Sequence, residues 1–324
     1  SQVVCTVPPG VGTDLAVSVA LQGQTSASGS GSFNVSYDAP QISSVVIPAN
    51  AVPGSLITVN GANFGPAAAA ATIYIGNADC STTRVNDGQL YCSVPAGAGV
   101  GLAIAVHVAD RIANNAQFTF SYPPPVIQRL TYDYSPTSGY INATTAAMLT
   151  VSGVNFGIAS TTIAFTVGQT PCVLVEWVDS TTLRCQLPEG EGSNLPVQIV
   201  VAGQSANSPT AFSYALPVVS SISISRDGTR GGAQLVVNGT NFGRTSAAVS
   251  VKLGTLDCAN PDHVSHVQVV CTVPAGAGAN LAVTISVAGQ TSLTAQAPTF
   301  SYDSPVITEI AGLLSTTSLS TDGG

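Results

Sequence analysis

The 324-residue chain is 45% hydrophobic but only 7% charged, with a single lysine, Lys252, and a formal net charge of −8. Eight basic residues cannot grip phosphate backbones, so nucleic acid is excluded as a partner. No apolar run reaches the ~18 residues that a membrane-spanning helix requires, and the length suits two to four ordinary domains.

The order of the chain is set by repetition. "CTVPPGVG" at 5–12 returns as "CSVPAGAG" at 92–99, "CQLPEGEG" at 185–192 and "CTVPAGAG" at 271–278, placing Cys5, Cys92, Cys185 and Cys271 at intervals of 87, 93 and 86 residues. Periods this long suit a complete small domain in tandem. "GANFG" (61–65), "GVNFG" (153–157) and "GTNFG" (239–243) precede the last three octapeptides. Units close on "VSY" (35–37) or "FSY" (120–122, 212–214, 300–302), and a proline-led start follows at 40, 125, 217 and 305.

Between these landmarks the pattern alternates with period two. In 102–109 Leu102, Ile104, Val106 and Val108 share one face, and 15–23, 195–203 and 281–289 read alike. Short alternating strands between Gly/Pro/Asn turns predict an all-β sandwich. The alanines at 67–71 are too few to nucleate a helix and read as loop. In GxNFG the glycines and asparagine supply positive φ, and Phe plugs the core. In CxVPxGxG proline stops the strand and the glycines carry the chain around.

These motifs resemble the IPT/TIG family of immunoglobulin-like domains, found in plexin and Met-type receptors, Rel-type transcription factors and microbial surface proteins. The resemblance implies tandem immunoglobulin-like sandwiches in a rod. They comprise the later part of one module at 1–38, complete modules at 39–124, 125–216 (with an insertion at 132–145) and 217–304, and an opening strand at 305–324. The family's DNA-reading use needs basic loops that this chain lacks.

Six cysteines pair by position within the repeats: Cys80 with Cys92, Cys172 with Cys185, and Cys258 with Cys271. A regular pair in each unit predicts disulfides and hence an extracellular, secreted chain. Cys5 is left unpaired; if 1–38 is completed by another segment, it is expected to be a buried free thiol. The His263, His266, Asp262 and Cys258 neighbourhood is the one nucleus for a metal, but it lacks zinc spacing and reads as a polar loop. Glu189 and Glu191 read as a solvated turn, and Trp177 as packing within its own unit.

No nucleophile, phosphate-loop or calcium-loop motif occurs, so neither an enzyme nor a cofactor is expected. Sequons at Asn142, Asn238 and Asn34, in that order of preference, are expected glycan acceptors in a eukaryotic secreted chain. The leading expectation is a structural subunit of an extracellular filament or stalk. In it Pro305, Val306, Ile307, Ile310, Leu313 and Leu314 of one copy pair with the 1–38 segment of the next. Together these two segments supply one module less 34 residues equivalent to 233–266. The rival for the ends is a window on a longer chain. The alternative function is an adhesin or receptor ectodomain that binds a glycan or another surface protein, with Tyr132, Tyr134 and Tyr140 as aromatic contacts.

Overall fold

The computed structural model describes residues 2–26, 33–132, 147–224, 228–295 and 297–308. All regular structure in these residues is β. The described residues fall into two compact units, one within 2–132, 147–188 and 194–212, the other within 189–193 and 213–308.

In the first unit, Gln41–Val46, Leu56–Ala62, Gln89–Ser93 and Ser81–Asn86 form one antiparallel sheet, in that order. Arg111–Phe120, Leu102–Val108, Ala71–Ile75 and Ala78–Asp79 form the second. The two sheets pack face to face because alternation gives each an apolar side. Ile57, Val59 and Leu90 from one meet Ile73, Ile104 and Val106 from the other in a single buried cluster. Residues 67–70 are loop, and Ala71 already opens a strand.

The same unit holds a second sandwich. One sheet is Val126–Tyr132, Met148–Val154, Thr182–Gln186 and Leu174–Asp179; the other is Thr170–Pro171, Ile163–Val167, Val197–Val201 and Gln204–Asn207. Among its described residues the N-terminal part carries two small sheets, Leu15–Val17 with Phe33–Val35 and Ala20–Leu21 with Gln24–Thr25.

The second unit repeats the sandwich. Val218–Ile224, Gln234–Thr240, Gln268–Thr272 and Ala259–Ser265 face a sheet built on Val249–Leu253 and Leu281–Val287. Gln290–Thr291 and Thr299–Phe300 both pair with Leu281–Val287, where the first complete module has one ten-residue strand.

Each module is closed by a disulfide: Cys80–Cys92, Cys172–Cys185 and Cys258–Cys271, with Cα–Cα distances of 5.4, 5.6 and 5.8 Å. The first cysteine of each follows the short edge strand of one sheet and the second lies in the other sheet, so the bond ties the two layers. Cys5 is free and exposed. The buried thiol expected on completion of 1–38 by another segment concerns an assembled state, and in the single chain no strand among the described residues covers Cys5.

Candidate functional site

The chain's repeated chemistry lies at the module ends. The octapeptide and the closing tyrosine form one device. Tyr37, Tyr122, Tyr214 and Tyr302 each donate the backbone N–H to the carbonyl of Gly12, Gly99, Gly192 or Gly278, at 2.9–3.0 Å. These glycines have φ of 109°, 115°, 100° and 126°, the left-handed side that favours glycine. The first glycine of the octapeptide serves a different purpose. The tyrosine ring lies against Gly10, Gly97, Gly190 and Gly276, where a Cβ would come within 2.5–2.7 Å of a neighbouring side chain. The phenol then reaches back to the octapeptide's proline: Tyr37 Oη donates to Pro8 O (2.6 Å), Tyr122 Oη to Pro95 O (2.9 Å) and Tyr302 Oη to Pro274 O (2.8 Å). Burial pushes the Tyr122 and Tyr214 phenols above the ordinary tyrosine range.

The NFG turn is the second device. Asn63, Asn155 and Asn241 take positive φ, as do Gly65, Gly157 and Gly243. The leading Gly61, Gly153 and Gly239 do not, contrary to the sequence expectation. They are glycine because a Cβ would stand 1.9–2.0 Å from the carbonyl of Gln41, Val126 or Val218 on the neighbouring strand. The asparagine side chain reaches the segment before its own module, donating to Ala39 O, Pro124 O or Leu216 O at 3.0, 2.8 and 2.8 Å. One position on the edge strand of the same sheet braces the turn with unlike side chains. Arg84 donates to the carbonyls of Phe64 and Gly65, and Trp177 Nε1 donates to Phe156 O at 3.2 Å. His263 occupies that position in the third module, where both ring nitrogens are buried without a hydrogen-bond partner. Cys258 is spent in a disulfide, so it is no thiolate ligand beside His263.

A glutamine of the next module engages the tyrosine device. Gln204 Nε2 donates to the Tyr122 carbonyl at 3.2 Å. Gln290 Nε2 donates to the Tyr214 carbonyl at 3.0 Å while its Oε1 accepts from Gly192 N–H at 2.9 Å, and the residue is only 6% exposed. Each glutamine follows a tight turn (202–203 or 288–289) in which both residues have positive φ. At the corresponding place in the first complete module stand Asp110 and Arg111. Asp110 accepts a hydrogen bond from the Thr13 hydroxyl, which chiefly holds its carboxyl below the ordinary range. Arg111 lines a cleft of about 420 Å³ with Tyr37, Asp38, Asn63 and Asp87, and its Nε is buried without a partner.

Glu191 is not the solvated turn expected. Its side chain is 11% exposed and takes three hydrogen bonds from Arg244: backbone N (3.1 Å), Nε (3.2 Å) and one terminal nitrogen (2.9 Å). The partner lies 53 residues downstream, immediately after GTNFG, so no local pattern announced it.

Tyr132 rests its ring on Phe212, with centroids 5.7 Å apart, and remains 40% exposed. Tyr134, Tyr140, Asn142, Ile310, Leu313 and Leu314 lie outside the described residues. Asn34 is exposed, whereas Asn238 is half-buried in a strand and accepts from Gln268 Nε2 at 3.0 Å. Pro305, Val306 and Ile307 are exposed.

The IPT/TIG domain profile matches residues 40–122, 130–214 and 217–302. The chain belongs to the IPT/TIG domain family. These modules are 25% identical over 237 residues to human (Homo sapiens) Fibrocystin-L and 28% identical over 243 residues to the mouse (Mus musculus) protein. Each alignment covers 71% of this chain but only 5% or 6% of the relative's length. Similar solved structures include a surface glycan-binding protein, PbSGBP-B from Prevotella bryantii (13% identity, 72% of this chain and 62% of that one, TM-score 0.39). The full extracellular region of plexin A4 is another (16% identity, 83% and 34%, TM-score 0.23).

Proposed function

We propose that the chain is a structural subunit of an extracellular filament or stalk, assembled head to tail from tandem IPT/TIG modules. One observation carries this reading: two matching parts of a module core both lie open. Val17, Val19 and Leu21 are 49%, 50% and 74% exposed, while their counterparts Val283, Ile285 and Val287 are 0–1% exposed. Ile307 is 79% exposed, while its counterparts Ile42, Ile127 and Val219 are 4–8% exposed.

Apolar sheet faces of this kind drive association, and an opening strand is the element that would lie over the face of residues 15–35. Pairing of Pro305–Leu314 of one copy with the 1–38 segment of the next is a heterologous contact, which propagates rather than closes. Three disulfides and a surface with few charges support an extracellular setting. The test compares recombinant 1–324 with 1–304 by sedimentation and electron microscopy. The full chain should polymerise, 1–304 should stay monomeric, and a free 305–324 peptide should block polymerisation of the full chain by occupying the open face. Equal polymerisation of both chains would contradict the proposal.

A further inference from the structure

We infer that Arg111, Asp38 and Asp87 form a binding site for a neutral sugar, in the cleft where the 8–38 segment meets the first complete module. The site stands whether or not copies of the chain assemble.

At about 420 Å³ the cleft falls in the range of small-molecule sites, roughly 300–1,000 Å³. A cleft is a standing feature of this kind of boundary. Ala96, Gly97, Tyr122, Pro123, Asn155 and Gly157 line another, of about 290 Å³, where the complete module at 39–124 meets the next. The chemistry of the two differs. Pro123 follows Tyr122 where Asp38 follows Tyr37. Ser180 replaces Asp87, each carbonyl accepting from the phenylalanine N–H of its NFG turn.

Arg111 departs in the same way. It pairs with Val108 as Gln204 pairs with Val201 and Gln290 with Val287. Those glutamines are spent on the Tyr122 and Tyr214 carbonyls. The corresponding residue, Tyr37, lines the same cleft as Arg111, so Arg111 is not idle for want of a neighbour. Its guanidinium nevertheless makes no hydrogen bond or ion pair, and its Nε is withdrawn from water. The turn before it explains the difference. Ala109 has φ of 52°, close to the 46° of Ala202 and Ala288, but Asp110 replaces the positive-φ Gly203 and Gly289 without taking their conformation. The Thr13 hydroxyl holds Asp110 instead.

A withdrawn arginine nitrogen without an acceptor is costly, and such exceptions mark groups kept for another use. Arg111 offers donors alone, and ionised Asp38 and Asp87 offer acceptors alone. They line one cleft without closing on each other. Asp87 is fixed by accepting from Gly65 N–H at 2.6 Å, and the exposed Asp38 carboxylate has no partner. A ligand that satisfies both signs must accept and donate over a short span, as the adjacent hydroxyls of a pyranose do. An anion would meet two carboxylates, with Asp110 beside them, and a cation has no acceptor for Arg111. Tyr37 and Pro40 supply the apolar wall for the sugar's C–H face.

Equilibrium dialysis of the full chain against isotope-labelled methyl glycosides and disaccharides of glucose, galactose and mannose reads the affinity, with glucuronate as the anionic comparison. At least one neutral probe should bind saturably and add amide protection at 63–65 and 87–89, and glucuronate should bind at least tenfold more weakly. Arg111→Gln installs the residue that the other modules carry, and Asp38→Ala removes an exposed side chain outside the complete module. Each should weaken the neutral probe about tenfold, for one or two charge-assisted hydrogen bonds lost. Amide exchange over 39–124 equal to the parent's assigns that loss to the cleft, and Asp38→Ala decides the matter if Arg111→Gln disturbs the fold. No saturable neutral binding, protection confined to other segments, tighter binding of glucuronate, or unchanged affinity in both variants would each overturn the site.

Discussion

Replacing Gly239 by alanine tests whether the first glycine of GxNFG is dictated by close approach rather than by backbone conformation. The new Cβ would lie 1.9 Å from Val218 O and 2.6 Å from Phe242 Cζ. Neither neighbour yields easily: the first is backbone on a strand already bulged between Val219 and Ser221, and the second is a fully buried ring. Overpacking of this kind costs about 1–3 kcal/mol. Drawing the strands apart also weakens one or two ladder hydrogen bonds, at about 1 kcal/mol each. A loss of about 3–4 kcal/mol lowers amide protection in the third module roughly 100- to 1,000-fold, at 1.4 kcal/mol per factor of ten. Gly289→Ala is the contrast, since nothing lies within 4 Å of its Cβ and only its φ of +80° is strained, a cost of about 1–2 kcal/mol. Hydrogen–deuterium exchange with mass spectrometry on the intact chain reads both variants. Protection within threefold of the parent for Gly239→Ala, or equal damage from the two variants, would refute the reasoning.

Four further outcomes follow from the same contacts. Replacing Cys172 and Cys185 with serine opens a link of sequence separation 13; the second module should lose about 3 kcal/mol, read as a lower denaturant midpoint. Glu191→Gln should weaken the link to Arg244 by about 1 kcal/mol, discounted because the Arg244 side chain is 44% exposed; added salt should narrow the gap between parent and variant. The Asp110 carboxyl is depressed first by the Thr13 hydroxyl, so its contribution is present above the ordinary carboxylate range and is lost as pH falls through its lowered value. Carboxyl NMR should show Thr13→Ala returning Asp110 toward the ordinary range. In a eukaryotic secretory host we expect Asn142 and Asn34 to be glycosylated more fully than half-buried Asn238, which glycopeptide mapping would show.

The sandwich was legible because alternation reports burial directly: Ile104, Val106 and Val108 point inward as their spacing requires. The cysteine spacing carried comparable information, since twelve or thirteen residues lead from one sheet's edge to the strand of the other. The junction devices were not legible, because each depends on partners far apart in sequence. Gly97 looks like a turn residue until Tyr122 is seen lying on it. Gln290 looks like any polar turn residue, though its acceptor is 76 residues upstream. Arg84, Trp177 and His263 share one structural position with no chemistry in common, which only the strand register reveals. The repeated Gln-after-Gly in "VAGQS" and "VAGQT" was the signal that could have pointed to the Gln204 and Gln290 contacts.

Photo-crosslinking from position 307 tests the central claim most directly. A photoreactive residue replaces Ile307 in isotopically light chains, which are assembled with heavy chains before irradiation. Crosslinks from light to heavy copies that land on 15–21 or 33–35 are the predicted result. Crosslinks confined to one copy, or intermolecular links scattered away from that open face, would contradict head-to-tail pairing.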